Sequence, residues 1–216
     1  MGSAFLYFVR VYYPVLLDLK GQRALVVGGG TVAARKAKGL AEAGAELTVV
    51  SPMFCAAITR WRGVVRRRRS FRAGDLKGVR LVVCASNDPA IQERVYRLCE
   101  KRGIPVNVVD APHRCTFIVP ARVRRGPLTI CVSTDGASPG LSRSLRLEIE
   151  RNYPPAFARL VRAIERHRRR ILKTQKDAKR RAAVLRRIAS PQIVATLRRQ
   201  GIAAALKLVN QVAQTS

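Results

Sequence analysis

The sequence predicts an α/β protein: a parallel sheet wrapped in helices, then a small strand-bearing region, then an all-helical, basic C-terminal domain. Three observations predict it. Short apolar runs alternate with helical stretches from residue 24 to 110, the pattern of a doubly wound sheet. A glycine-rich turn joins the first such run to the first helix. From Tyr153 onwards the strand-like runs cease and basic helical periodicity takes over. The boundaries that follow are 1–113 for the sheet domain, 114–150 for the strand-bearing region and 151–216 for the helical tail.

The N-terminal stretch MGSAFLYFVRVYYPVLLDLK is apolar, but Arg10 and Pro14 interrupt it and it has no basic start. It is too short to span a bilayer. It reads as an ordered lead-in strand or loop, and the protein as cytoplasmic, with no membrane partner. Ala24 to Val27 is the first strand, followed by Gly28-Gly29-Gly30 and Thr31-Val32-Ala33. The spacing is G-x-G-x-x-A. Gly28 permits the tight turn, Gly30 leaves room for a pyrophosphate, and Ala33 lets the helix pack close to the sheet. The helix, from Thr31 to about Ala43, aims its N-terminal amides at the phosphates. Gly44 stops it, and AELTVVSP is the next strand. Strand, glycine loop, helix and strand in this order make a Rossmann-type dinucleotide site, with Gly28, Gly29, Gly30, Thr31 and Val32 as its cradle.

The acid expected at the end of the second strand is absent. Ser51 stands there, with a hydroxyl that can bond a ribose. No arginine adjoins Ser51, and the nearest downstream is Arg60, which favours NAD over NADP. VVRRRR (64–69) is either an edge strand or a basic loop. VRLVVCASND (79–88) is a buried strand that opens into a turn, and puts Ala85, Ser86 and Asn87 at its carboxyl end, where such sheets bind ligands. Ile91, Val95, Leu98 and Cys99 share one face of the helix from Pro89 to Arg102. Gly103 caps it, and IPVNVVD (104–110) is a further strand. Asp110 closes that strand on the rim of the glycine loop. Position alone leaves it either a functional acid or a turn residue.

CTFIVPA and GPLTICVST read as two strands joined by RVRRGP. Ser138-Pro139 marks a helix start, with serine at the cap and proline at the first helical position. In the tail, breaks fall near Pro154-Pro155, Ser190-Pro191 and Gly201.

Charge is the unusual total. Lys+Arg number 42 against 13 Asp+Glu, for a net +29. Residues 151–216 alone hold 17 basic and 2 acidic groups. Such a field suits a polyanionic partner, or reflects a general preference for arginine on the surface. The clusters Arg66–Arg69, Arg168–Arg170, Lys179–Arg181 and Arg186-Arg187 read first as solvated faces. Substrate attraction, salt bridges between subunits and incidental nucleic-acid contact are the alternatives. The five cysteines are dispersed without a CxxC pair, which suggests a reducing compartment and mostly buried thiols. His113 and Cys115 form an isolated H-x-C, so no resident metal site is expected.

Taken together, YYPVLLDLKGQRALVVGGGTVAARKAKGLAEAGAELTVVSP, NVVDAPHRCTFIVPA and LTICVSTDGASPGLSRSLRLEIE resemble the precorrin-2 dehydrogenase / sirohydrochlorin ferrochelatase family, which includes the N-terminal part of siroheme synthases; the methyltransferase domain of the fused enzymes does not follow. The resemblance covers about residues 12 to 150 closely. It implies NAD-dependent oxidation of precorrin-2 to sirohydrochlorin, a homodimer and, in some members, ferrous iron taken as a substrate to give siroheme. It also implies that Asp110 is the catalytic carboxylate, and that Ser138, with His113 beside the NVVDAP motif, lies on the substrate side. The family often has two glycines where this chain has Asp135-Gly136. Precorrin-2 is fringed with carboxylates, and arginine forks bind carboxylates bidentately, which gives the basic surface a use. The reading from a different class is an NAD-binding regulator with the tail as a nucleic-acid arm. No helix-turn-helix signature and no aromatic platform supports it.

Overall fold

The structure, a computed structural model, describes residues 11–214. The first half of the N-terminal lead-in therefore lies outside the described residues; residues 11–20 run without regular structure up to the buried Leu19. The chain forms two compact units, Met1–Val119 and Pro120–Ser216.

The first unit runs β1 (Arg23–Val27), α1 (Thr31–Glu42), β2 (Glu46–Val50), α2 (Ala56–Thr59), β3 (Val65–Arg67), β4 (Leu81–Cys84), α3 (Pro89–Lys101) and β5 (Val106–Val108). The sheet is parallel, in the order β3-β2-β1-β4-β5. Its inner strands are continuous apolar runs because both faces are covered. Alternate residues serve opposite faces. Leu25, Val27, Val82 and Cys84 pack with Val95 and Cys99 of α3. Ala24, Val26, Val49 and Val83 pack with Ala33 and Ala37 of α1 and Ile58 of α2. Two alanines on the inner face of α1 let it lie close to the sheet. Burial raises the thiol of Cys84 to about 11 and that of Cys99 to about 12, so both behave as small hydrophobes. Of the remaining cysteines Cys115 is buried, Cys55 half-buried and Cys131 exposed.

The arginine run begins in the edge strand; Arg66, Arg67 and Arg68 are exposed, as a solvated face requires, but the run also has partners within the chain. Arg66 donates to the carbonyls of Ile58, Thr59 and Trp61 at the end of α2. Arg67 and Arg69 both pair with Asp75, whose side chain is 1% exposed. The backbone N–H of Arg72 donates to the same carboxylate at 2.8 Å. The Arg69 guanidinium chiefly, then the Arg72 N–H and Arg67, hold this carboxyl well below the ordinary carboxylate range, against the opposing effect of burial. Composition showed a charge run; tertiary contact with one buried acid decided its use.

The second unit begins with an antiparallel pair, β6 (Ala121–Arg125) and β7 (Leu128–Val132). The expected first strand is corrected. Its residues lie within ARVRR, not CTFIVPA, because Gly126-Pro127 makes a two-residue turn that pairs Arg125 with Leu128. Gly126, at φ 60°, supplies the positive φ that such a turn needs at its first position. Cys115 and Thr116 instead fold back on β5.

The helices are α4 (Pro139–Asn152), α5 (Ala156–Thr174), α6 (Ala178–Arg187) and α7 (Pro191–Gln214). Phe157 and Leu160 of α5 pack on Ile193, Leu197, Ala205 and Val209 of α7. A second cluster joins Ile171, Val184, Ile188 and Ala213. Gly201, at φ 84°, interrupts α7 where the sequence marked a break. Several tail arginines also have protein partners: Arg169 pairs with Glu165, and Arg170 donates to the carbonyl of Ala213. Among the described residues no helix is long and apolar enough to cross a membrane.

Candidate active site

All strands of the first unit point the same way, so their carboxyl ends form one rim. A cleft of about 600 Å³ opens there. Gly28, Gly29, Gly30, Thr31, Val32, Ser51, Ala85, Ser86 and Asn87 all line it, together with Pro52, Met53, Phe54, Cys55 and Asp88. The glycines differ in what they permit. Gly28 sits at φ 121°, and a Cβ there would stand 2.3 Å from the carbonyl oxygen of Ala85. A Cβ on Gly29 would stand 1.8 Å from the carbonyl oxygen of Met53. Both therefore let neighbouring backbone close in and shape the cradle. A Cβ on Gly30 would meet no protein atom within 4 Å, so Gly30 keeps the cleft itself open.

Gly30 is also the cap of α1, which has no side-chain cap and no acid in its first turn. The first amides of α1 are thus left to an anion from outside the chain. At the start of α3 the chain has its own solution: Asp88 accepts from the N–H of Ala90 at 2.8 Å. An open cradle beside an uncapped helix start fits the pyrophosphate of a dinucleotide.

Asp110 stands just past β5, on the same rim, and is exposed. Its φ of 59° is left-handed, a conformation costly for most residues and least so for Asp, Asn and Gly. The surroundings hold it there. The Cys115 sulfur lies 3.2 and 3.4 Å from the carbonyl oxygens of Val108 and Ala111, which share its one S–H, and it accepts from the N–H of Val108. Buried Asn107 donates to the Cys115 sulfur and to the carbonyl of Phe117. Thr116 bonds Val106. The loop bearing Asp110 is thereby fastened to β5 on its far side. His113 lies exposed in the 3₁₀ turn Pro112–Arg114 of this loop.

Sequence reasoning passed over Lys36. It lies half-buried on α1, within electrostatic reach of Asp110 and Cys115. Burial first, then Arg35, lowers its pKa, while Cys115 and Asp110 act the other way. Its position between Ala33 and Ala37, both on the buried face, was the available signal.

Ser138 belongs to the second unit and caps α4, its hydroxyl accepting from the N–H of Leu141 at 3.2 Å. Thr134 receives the Ser138 N–H, donates to the Ser138 carbonyl and meets the Ser142 hydroxyl. Asp135, at φ 50°, and Gly136, at φ 90°, are both left-handed, which explains why glycine suits these positions. The Ser133 hydroxyl donates to the Asp135 carboxylate and accepts from its N–H, and makes aspartate tolerable there.

The solved structure of SirC, a precorrin-2 dehydrogenase, superposes with a TM-score of 0.76 at 30% identity, over 94% of this chain and 100% of that one. The chain belongs to the precorrin-2 dehydrogenase family. Residues 15–121 of this dehydrogenase-family chain match a family described as putative NAD(P)-binding, and residues 125–152 match one described as sirohaem biosynthesis protein central. Siroheme synthase from Nitrosococcus oceani is 41% identical over 163 residues, which are 74% of this chain and 35% of that protein. Siroheme synthase from Azotobacter vinelandii is 42% identical over 173 residues, 79% of this chain and 37% of that protein. The chain thus spans about a third of the length of these curated relatives. The match to the dinucleotide-binding family agrees with the cleft, and NAD is the cofactor.

Proposed function

We propose that this precorrin-2 dehydrogenase family member oxidises precorrin-2 to sirohydrochlorin, with Asp110 as the base. The observation that carries the proposal is the exposed Asp110 carboxylate, fixed in a left-handed turn on the rim that bears the glycine cradle. NAD, when bound, supplies the hydride acceptor. The glycine loop and the amides of α1 hold its pyrophosphate, and Ser51 bonds a ribose hydroxyl. Asp110 takes the proton that leaves the macrocycle with the hydride, so one substrate molecule yields sirohydrochlorin, NADH and a proton. Lys36 supplies a positive charge near that carboxylate. His113 lies on the substrate side, and exposed arginines receive the acetate and propionate fringe of the tetrapyrrole.

The assembly is a homodimer. Helix α4 buries none of its residues within the chain. Leu141, Leu145 and Leu147 on it are 51%, 37% and 38% exposed, an apolar surface that a second copy covers.

The test is anaerobic incubation with precorrin-2 and NAD, followed by absorbance of sirohydrochlorin. NAD-dependent product supports the proposal; none, beside an active reference dehydrogenase, refutes it. The same incubation with ferrous iron reads metal insertion as a separate step, with iron as substrate and Asp110 as the group that helps the pyrrole nitrogens lose protons.

A further inference from the structure

Asp110 is exposed, so packing of its own side chain does not set its direction; the backbone of its loop does. Behind the loop, the Cys115 network fixes where the chain returns to β5. The same loop carries a second fastening, to α3. Arg114 ends the 3₁₀ turn Pro112–Arg114, and its N–H donates to the carbonyl of Ala111. The Arg114 side chain is half-buried, and its Nε donates to Oε2 of Glu93 on α3 at 2.8 Å. The other oxygen of Glu93, Oε1, pairs with the exposed Arg97 one turn further along α3, an ordinary helix-surface pair. One carboxylate thus receives a guanidinium from its own helix and another from the Asp110 loop.

Helix α3 is itself tied to the cofactor cleft. Asp88 caps it, and Nε2 of Gln92 donates to the carbonyl of Ser86 at 2.7 Å. Ser86 and Asp88 both line the cleft. Ala111 and Cys115 pack in one apolar cluster with Val95 and Cys99 of α3, so the loop rests on this helix. Ser86, Gln92, Glu93 and Arg114 therefore connect the wall of the cleft to the loop that bears the carboxylate. We infer that Glu93 and Arg114 are positioning residues for Asp110: their ion pair holds the Asp110 loop on α3 and so fixes the carboxylate relative to the cofactor cleft. The inference rests on Asp110 being the base of the proposed oxidation. A base works only within a narrow range of distance and angle from the proton it takes, and small misplacements cost large factors in rate. Charge-assisted bonds to a half-buried guanidinium are less screened than those of an exposed pair, which suits this contact to the task.

The experiment measures anaerobic turnover of the full chain with precorrin-2 and NAD, beside calorimetric NAD binding, thermal melts and amide exchange in residues 110–115. E93Q and R114Q each lose about tenfold or more in kcat, while Kd for NAD and KM for precorrin-2 stay within about twofold of wild type. R114K recovers part of the loss. The double variant falls no further than either single change, because both break one contact. In the Asp110→Asn background E93Q costs nothing more, since no base is left to place. R97Q, which removes the helix-surface partner of Glu93 and spares the loop contact, keeps wild-type kcat. Melting temperatures stay within about 4 °C of wild type, so lost turnover is not lost protein. The amides of Ala111, Arg114 and Cys115, which bond within the loop region, exchange faster in E93Q. The inference is overturned if E93Q and R114Q turn over within about twofold of wild type, if R97Q loses as much as E93Q, or if E93Q costs the same with and without Asp110. A wild type without turnover removes the reaction assignment instead. Exchange then decides the loop contact, and equal rates in E93Q and wild type overturn that too.

Discussion

Asp110 and Asp135 are the non-glycine residues with positive φ among the described residues, and each is held by different means. Asp110 owes its geometry to the thiol and amide network behind it, and its carboxylate remains exposed. Asparagine also tolerates the left-handed region. Asp110→Asn is therefore expected to fold and to bind NAD, and to lose about a hundredfold or more in turnover, the scale of a missing general base. Anaerobic rate measurements beside calorimetric NAD binding check it; near-normal turnover would take Asp110 out of the mechanism. Asp75 is the structural counterpart: buried, ionised and shared by two arginines. Its native pKa lies below the unfolded value of about 3.9. The sign follows from linkage. The stabilisation is fully present above that value and is lost as pH falls through it towards the native pKa. Asp75→Asn is expected to cost about 1.5–3 kcal/mol at neutral pH, in line with lost charged hydrogen bonds. Urea titrations at several pH values should show the gap between wild type and variant closing below about pH 4.

At the level of elements, the turn between β1 and α1 performs two separable tasks. Gly29 lets the segment after β2 pass over the loop, whereas Gly30 keeps the ligand space open. Gly29→Ala forces its Cβ into the Met53 carbonyl, and overpacking of that kind costs about 1–3 kcal/mol, a fall of several degrees in Tm. Gly30→Ala meets no protein atom, and its φ of −80° suits alanine. Its Tm should stay at the wild-type value while NAD affinity drops about tenfold or more. Thermal melts paired with calorimetry separate the two. Equal effects of both substitutions on stability, with NAD binding intact in Gly30→Ala, would contradict this division.

For the whole molecule, the net charge of +29 is less free than composition suggests. The arginine run at β3 is absorbed by helix carbonyls, a buried acid and an aromatic ring. The tail arginines are partly bound to Glu165 and to backbone carbonyls. The chain also leaves apolar side chains uncovered, among them the outer leucines of α4. If they meet a second copy, Leu145→Glu should move the sedimentation species from dimer to monomer without loss of helical signal. A dimer that survives the substitution at micromolar concentration would place the interface elsewhere.

Local chemistry determined much of this protein. The alternation of apolar runs fixed the parallel sheet, because strands covered on both faces must be apolar throughout. Spacing of Gly28, Gly30 and Ala33 located the cradle, because turn, phosphate approach and helix packing each demand a small residue there. Ser138-Pro139 and Gly201 marked their breaks through cap chemistry and backbone freedom alone. Tertiary structure decided the rest. Strand β6 took its register from the Gly126-Pro127 turn, a contact between neighbours that the apolar pattern of CTFIVPA concealed. The destinations of Arg66 to Arg69 depended on which residues β2, α2 and the Asp75 turn brought beside them. Lys36 came within electrostatic reach of Asp110, and Arg68 over the Phe54 ring, only because the fold sets side by side residues that lie apart along the chain.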